Sequence, residues 1–141
     1  TRSAPISETN SAAPPTGSRR WGRPPVSLPP TEIVPQSGAY FDYHAKYTPG
    51  ASIEITPARI GAAMTARVQD LALRAHAALG CAGMSRTDMI MRGRGLTVLE
   101  TNTIPGLTET SLLPQAARAA GLSFADLVSG MTLAALEGQA T

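Results

Sequence analysis

The chain has 141 residues, a formal charge of +2, and 43% hydrophobic, 16% charged and 4% aromatic residues, a balance that suits one globular core. No apolar run reaches the roughly eighteen residues of a membrane helix, no basic start followed by an apolar stretch suggests a signal peptide, and the single cysteine, Cys81, excludes an internal disulfide and a multi-cysteine zinc site. The excess charge sits in residues 1–30, where Arg2, Arg19, Arg20 and Arg23 face only Glu8; the rest carries 8 basic and 9 acidic groups, so the body offers no basic face to a nucleic acid.

Residues 1–27 contain Pro5, Pro14, Pro15, Pro24 and Pro25 among Ser, Thr, Gly and Arg, without apolar periodicity. They read as a disordered or linker tail. The chain opens on Thr1 and its first methionine is Met64, which reads as part of a longer or processed product. Glu32 to Val34 is a short extended run stopped by Pro35, and Gln36-Ser37-Gly38 is a turn signal. Residues 40–47 then hold Tyr40, Phe41, Tyr43 and Tyr47, with His44 and Lys46 between them. Thr48 to Ala51 closes this stretch as a loop.

Ala51 to Ile55 reads as a strand, and Thr56-Pro57 as a helix start. Ile60, Met64, Val68, Leu71, Ala75 and Ala78 fall on one helical face, and Gly80 takes the position just past the end. Thr87–Arg92 and Leu96–Asn102 form a hairpin around Gly93-Arg94-Gly95. A short helix covers Leu113–Ala120, stopped by Gly121. Another starts at Ser123, with Asp126 three residues on, and runs to about Leu136.

A three-residue loop centred on Arg94 sets Asp88 opposite Glu100 and Arg86 opposite Asn102, all four on one face. Opposed like charges destabilise a ladder. Either a cation lies between the two carboxylates, or they are solvated on an exposed face. With the Asn102 carbonyl they make an all-oxygen donor set for Mg²⁺, and Arg86 beside them could steady an oxyanion or a phosphate. Ile90 and Val98 on that face, with Met89, Met91 and Leu99 on the other, predict a hairpin buried on both sides and favour the cation. Lys46 is either a phosphate-binding or a surface lysine. His76 reads as a packing or surface residue, Cys81 as a structural thiol, and His44 has no visible chemical partner. Gly93-Arg94-Gly95 is a turn and not a phosphate loop, because no helix follows it.

Several stretches then follow one another in a known order. They are Glu32-Ile33-Val34-Pro35; Tyr43 to Tyr47; Gly83-Met84-Ser85-Arg86-Thr87-Asp88; Leu99 to Thr108 with Asn102-Thr103-Ile104-Pro105-Gly106; and Ser111 to Phe124. This resembles the C-terminal part of bacterial D-alanine–D-alanine ligases, ATP-grasp enzymes of peptidoglycan precursor synthesis, over about residues 28–137. The resemblance implies an α+β fold: an ATP-grasp C-terminal lobe over 28–138, mainly an antiparallel sheet flanked by helices, with 1–27 as a disordered tail. It implies ATP as substrate and Mg²⁺, or Mn²⁺ in its place, held by Asp88, Glu100 and Asn102. Arg86 and the Gly106 N–H would stabilise the tetrahedral oxyanion. Lys46 would touch the transferred phosphoryl group, and Tyr47 would belong to the loop closing over it. Ser111 and the Leu112 backbone would hold the carboxylate of the second D-alanine. His44 stands where the family usually has an acid.

The family's N-terminal domain and most of its small nucleotide-binding lobe have no counterpart here. The expectation is therefore a cytoplasmic ligase-type lobe, without nucleic-acid or membrane partners, that does not turn over alone. The alternatives are a non-catalytic remnant and one half of a split enzyme needing a second chain. Exposed apolar surface would leave it prone to associate.

Overall fold

The computed structural model of the chain describes residues 5–12, 25–35 and 52–138. In chain order its elements are β1 (Pro5–Ala12), β2 (Val26–Ser27), β3 (Glu32–Pro35), β4 (Ser52–Ile55), α1 (Ala62–Ala78), β5 (Ser85–Arg92), β6 (Gly95–Asn102), α2 (Leu112–Ala119) and α3 (Phe124–Gly138). The strands form one sheet in the order β4-β3-β1-β5-β6, with β2 paired to β1 off that path. Each recorded pairing is antiparallel. The aromatic stretch 40–47 and the turns on either side of it lie outside the described residues.

Within residues 1–27, expected as a tail, one described segment is extended. Residues 5–12 are a strand in the interior of the sheet, between β3 and β5. The physical reason is positional. Strand β5 presents a row of backbone donors and acceptors that β1 pairs with at six positions, whereas β1 and β3 pair at Ile6 and Glu32, and such backbone pairing does not depend on the side chains. Composition therefore does not report it.

Helix α1 begins at Ala62 rather than at Pro57. Gly61 precedes it at φ 71°, outside helical geometry. The backbone before it is already engaged with the segment leading into β3. The Ala58 amide donates to the Pro30 carbonyl at 2.8 Å, and the Arg59 amide donates to Glu32 Oε2 at 3.2 Å. At its other end the Gly80 amide donates to Ala77 and the Cys81 amide to His76, with Gly80 at φ 61°. This is the double closure that a left-handed glycine allows. Gly121, at φ 84°, closes α2 the same way, its amide donating to Arg118 and that of Leu122 to Ala117. Ser123 and Asp126 cap α3 reciprocally: the Asp126 amide donates to Ser123 Oγ at 3.0 Å, and the Ser123 amide to Asp126 Oδ2 at 3.2 Å.

Two apolar clusters hold the layers. Val68 and Ala72 of α1 pack with Met89 of β5, flanked by Ile60, Met64, Leu71 and Leu96. Leu113, Ala116 and Ala117 of α2 pack with Leu122, Leu127 and Leu28. Polar ties add direction to the first layer. Arg67 donates to the Arg94 carbonyl at the hairpin tip at 2.9 Å, and Gln69 Nε2 to the Leu28 carbonyl at 3.1 Å. Among the described residues no single helix is long and apolar enough to cross a membrane.

The hairpin differs from expectation near its turn. Arg92 pairs with Gly95, so Gly93 and Arg94 make a two-residue connection, and Gly93 takes φ 58°. The ladder then shifts by one residue between Asp88 and Met89, leaving Leu99 unpaired as a bulge. One consequence corrects the assignment of faces. Val98 pairs with Met89 and so shares its face, rather than that of Asp88. Burial divides the hairpin by strand rather than by face. Strand β5 is buried on both faces, with Ser85, Thr87 and Met89 on one and Asp88 on the other, whereas Val98 and Leu99 of β6 are exposed, because β6 is the last strand of the sheet.

Candidate functional site

Beyond the bulge the ladder sets Asp88 opposite Glu100 and Arg86 opposite Asn102. Strand alternation puts these four on one face, while Ser85, Thr87 and Met89 turn the other way. On that other face Thr87 and Thr101 share a hydrogen bond of 3.1 Å.

Asp88 is 5% exposed, and Arg86 grips it with two bonds: Nε to Oδ1 at 3.0 Å and Nη2 to Oδ2 at 3.2 Å. A fork on a carboxylate fixes the orientation of both partners. Glu100 is exposed across the ladder from this pair. Asn102 Oδ1 accepts the Ile104 amide at 2.9 Å, which turns the chain out of β6 into the following loop.

That loop brings Gly106 against Ser111. A Cβ added at Gly106 would lie 2.7 Å from Ser111 Oγ and 3.3 Å from Ser111 Cβ, so the approach requires glycine. Ser111 Oγ accepts the Thr108 amide at 3.1 Å and meets Thr108 Oγ1 at 2.7 Å, while the Ser111 amide donates to the Thr108 carbonyl at 2.8 Å. Ser111 is the residue before α2, and Leu112 is the first residue of that helix. Residues 106–112 thus join a close backbone approach to a helix N-terminus. Thr108 has no motif signal of its own and was not a sequence candidate. Nor were Gln115 and Arg118, one helical turn apart on α2. Gln115 Nε2 donates to the Thr110 carbonyl at 2.8 Å and Arg118 to the Glu109 carbonyl at 2.7 Å, and both bonds brace the loop. Their shared helical face was the only clue.

The remaining candidates separate cleanly. Lys46, Tyr47 and His44 lie outside the described residues. His76 is a packing residue, buried in α1 with Nδ1 2.8 Å from Ser85 Oγ on β5. Burial pushes its pKa below the ordinary 6.5, and the hydrogen bond with the Cys81 backbone works against that shift. Cys81 is a half-buried free thiol.

The donor chemistry suits a hard cation. Asp88, Glu100 and Asn102 offer only oxygen, from two carboxylates and an amide, and Mg²⁺ takes few protein ligands. Among the described residues no group of three or more His, Cys, Asp or Glu could form a metal cage. A cation held by these three residues would complete its shell with further oxygen ligands, water among them.

The family model described as "D-ala D-ala ligase C-terminus" matches residues 22–132. The D-alanine–D-alanine ligase of Syntrophobacter fumaroxidans is 55% identical over 112 residues, covering 79% of this chain and 36% of that protein. Two solved ligases share the fold. That of Bacillus anthracis complexed with ATP superposes with a TM-score of 0.67 at 30% identity, over 93% of this chain and 40% of that one. That of Coxiella burnetii gives a TM-score of 0.73 at 25% identity, over 96% and 33%.

Sheet, helices and carboxylate hairpin together define the C-terminal lobe of an ATP-grasp ligase. Within that class the chain belongs to the D-alanine–D-alanine ligase C-terminus family. It spans about a third of the length of the curated relatives it matches.

Proposed function

We propose that this chain supplies the metal-binding and second-substrate side of a D-alanine–D-alanine ligase, and that turnover requires the remaining two-thirds of the relatives' length, in a longer polypeptide or a second chain. The observation that carries the reading is the in-register opposition of Asp88 and Glu100, with Arg86 one step along the same face. In the reaction ATP phosphorylates the carboxylate of one D-alanine. The amine of a second D-alanine attacks the acyl phosphate, and phosphate leaves the tetrahedral intermediate.

Asp88, Glu100 and Asn102 hold Mg²⁺, or Mn²⁺, which when bound screens the charge of the ATP phosphates. Asp88 also fixes the Arg86 guanidinium, so a developing oxyanion meets a charge that need not reorganise. The Gly106 N–H donates to the same oxyanion, on a loop whose approach to Ser111 admits no side chain. Ser111 and the Leu112 backbone take the carboxylate of the second D-alanine at the start of α2, where the helix dipole favours an anion. Lys46 contacts the transferred phosphoryl group, and Tyr47 belongs to the loop that closes over it. The product is a peptidoglycan precursor, and the setting is the cytoplasm.

The test is ADP release with D-alanine, alongside Mg²⁺ titration of the wild type, Asp88→Asn and Glu100→Gln. The chain alone is expected to release no ADP, and each substitution to weaken Mg²⁺ binding. Sustained turnover by the chain alone would overturn the divided site. Unchanged Mg²⁺ binding in both variants would overturn the metal assignment.

A further inference from the structure

The loop before α2 is exposed at Thr108, Glu109 and Thr110, where water could satisfy every backbone group. An open cleft of about 720 Å³ runs along it, with Glu54, Thr110, Gln115 and Arg118 in its lining. Four consecutive carbonyls are nonetheless taken by the protein. The Thr108 carbonyl accepts the Ser111 amide at 2.8 Å, and that of Glu109 accepts Arg118 Nη2 at 2.7 Å. The Thr110 carbonyl accepts Gln115 Nε2 at 2.8 Å, and that of Ser111 accepts the Gln115 amide at 3.1 Å. Two of these donors are long side chains, which give up much rotamer freedom when held. Exposed carbonyls do not need such partners, so what the bonds supply is orientation.

A peptide unit is planar, so a carbonyl held at one residue also fixes the N–H of the next, pointing the opposite way. The Thr110 carbonyl sets the Ser111 amide, and the Ser111 carbonyl sets the Leu112 amide. Gln115 holds both carbonyls, one with its side chain and one with its backbone. The second hydrogen of Nε2 goes to Glu54 Oε2 on β4 at 2.7 Å. Carboxylate and carbonyl are both acceptors, so they use both amide hydrogens and leave the side chain one way to sit. Glu54 is itself fixed in the sheet, opposite Ile33 of β3. A line of contacts therefore runs from the sheet through Gln115 into the two peptide planes around Ser111.

We propose that Gln115, seated on Glu54, is a positioning residue for the second substrate: it fixes the peptide planes by which Ser111 and the Leu112 backbone meet the carboxylate of the second D-alanine. The inference rests on the ligase reading of Ser111 and Leu112 and adds to it the reason their loop is held so fully. Groups fixed before binding lose less freedom when the carboxylate arrives, and the saving appears as affinity. Gln115 acts through the planes and not by touching the carboxylate. Its effect is therefore confined to ligands that carry one.

The test titrates the full chain with D-alanine and with D-alaninamide, which lacks the carboxylate, following the Ser111 and Leu112 amides by NMR. Gln115→Met keeps the length of the side chain and removes both donors. It is expected to bind D-alanine about tenfold more weakly, the loss of one hydrogen bond to a charged group. The preference for D-alanine over D-alaninamide should fall by the same factor, with the urea midpoint unchanged. Gln115→Lys should restore D-alanine binding, because an ammonium has donors for Glu54 and Thr110 together. Ser111→Ala separates the inference from the reading beneath it. If the wild type does not bind D-alanine, or Ser111→Ala binds it equally well, the substrate site itself is misplaced and the inference falls with it. If Ser111→Ala weakens binding and Gln115→Met does not, the site stands and Gln115 does not position it. A Gln115→Met loss that is equal for D-alanine and D-alaninamide, or that lysine fails to restore, would reduce Gln115 to a structural residue and overturn the proposal.

Discussion

Asp88 and Glu100 stand opposite each other across the β5–β6 ladder, but only Asp88 is buried, and Arg86 binds both of its oxygens. The like-charge pair is therefore asymmetric. Replacing Asp88 with Asn leaves the guanidinium against a neutral amide at a nearly dry site, with an expected loss of about 1–3 kcal/mol. Replacing the exposed Glu100 with Gln relieves repulsion and changes stability by no more than about 0.5 kcal/mol. Urea unfolding of both variants in excess chelator checks the difference. Equal stability of the two would show that the Arg86–Asp88 pair does not anchor this end of the strand.

Gly106 is expected to tolerate no side chain without moving Ser111. In Gly106→Ala the new Cβ would sit 2.7 Å from Ser111 Oγ. The serine would have to turn away and release the Thr108 amide. Exchange at the Thr108 amide should then rise at least about tenfold, while global stability falls by only about 1 kcal/mol, because the loop lies at the surface. Ser111→Ala should reproduce the faster exchange without the clash. A Thr108 amide that exchanges at the wild-type rate in both variants would show that Ser111 Oγ is not its acceptor.

Elements set by short-range chemistry were legible in the sequence. Gly80, Gly121 and the Ser123–Asp126 pair end or start their helices by bonds within a few residues, and each lies where its motif predicts. The hairpin was legible at the site for a less direct reason. A three-residue loop and a regular ladder predict the same pairs at Asp88 and Arg86 as the two-residue turn with a bulge at Leu99. Gly93-Arg94-Gly95 suits either loop, and a bulge carries no composition signal, so only the face of Val98 revealed the difference. Strand β1 was illegible because its partners, rather than its residues, select it. Glu32 and Arg59 are 27 residues apart, and nothing local announces their ion pair.

Acid should weaken the attachment of α1 to β5 through His76. Burial lowers the pKa of this residue below 6.5, so the unfolded chain takes up a proton first as pH falls. Stability from this group is complete above about 6.5 and declines below it, levelling off once the folded protein also binds the proton. His76→Gln keeps a polar group near Ser85 and removes the titration. Unfolding free energies of wild type and variant, compared between pH 7 and 5, should converge as pH falls. Parallel curves across that window would exclude His76 as the source.

A second and more acidic limb is expected from Glu32. Arg59 Nε donates to Glu32 Oε2 at 2.9 Å and its Nη2 to Oε1 at 3.0 Å, while the Arg59 amide adds a third bond at 3.2 Å. The side-chain bonds from Arg59 are the main reason the Glu32 carboxyl lies below its ordinary 4.5, and burial opposes them. For a depressed carboxylate the stabilisation is present above the unfolded value and is lost as pH falls through the folded one. The limb therefore starts near pH 4.5, below the His76 window. It is structural as well as ionic, because the same bonds hold the turn before α1 against β3. The Arg59 side chain is 63% exposed, so salt should screen the Coulomb part while the backbone bond persists. Glu32→Gln should remove this limb and leave the His76 limb intact. The difference between wild type and variant at pH 7 should shrink, without vanishing, between low and high salt. Unfolding curves at pH 3.5, 5 and 7 separate the two groups. A Glu32→Gln variant that loses stability below pH 4.5 as steeply as the wild type would rule out this ion pair as the cause.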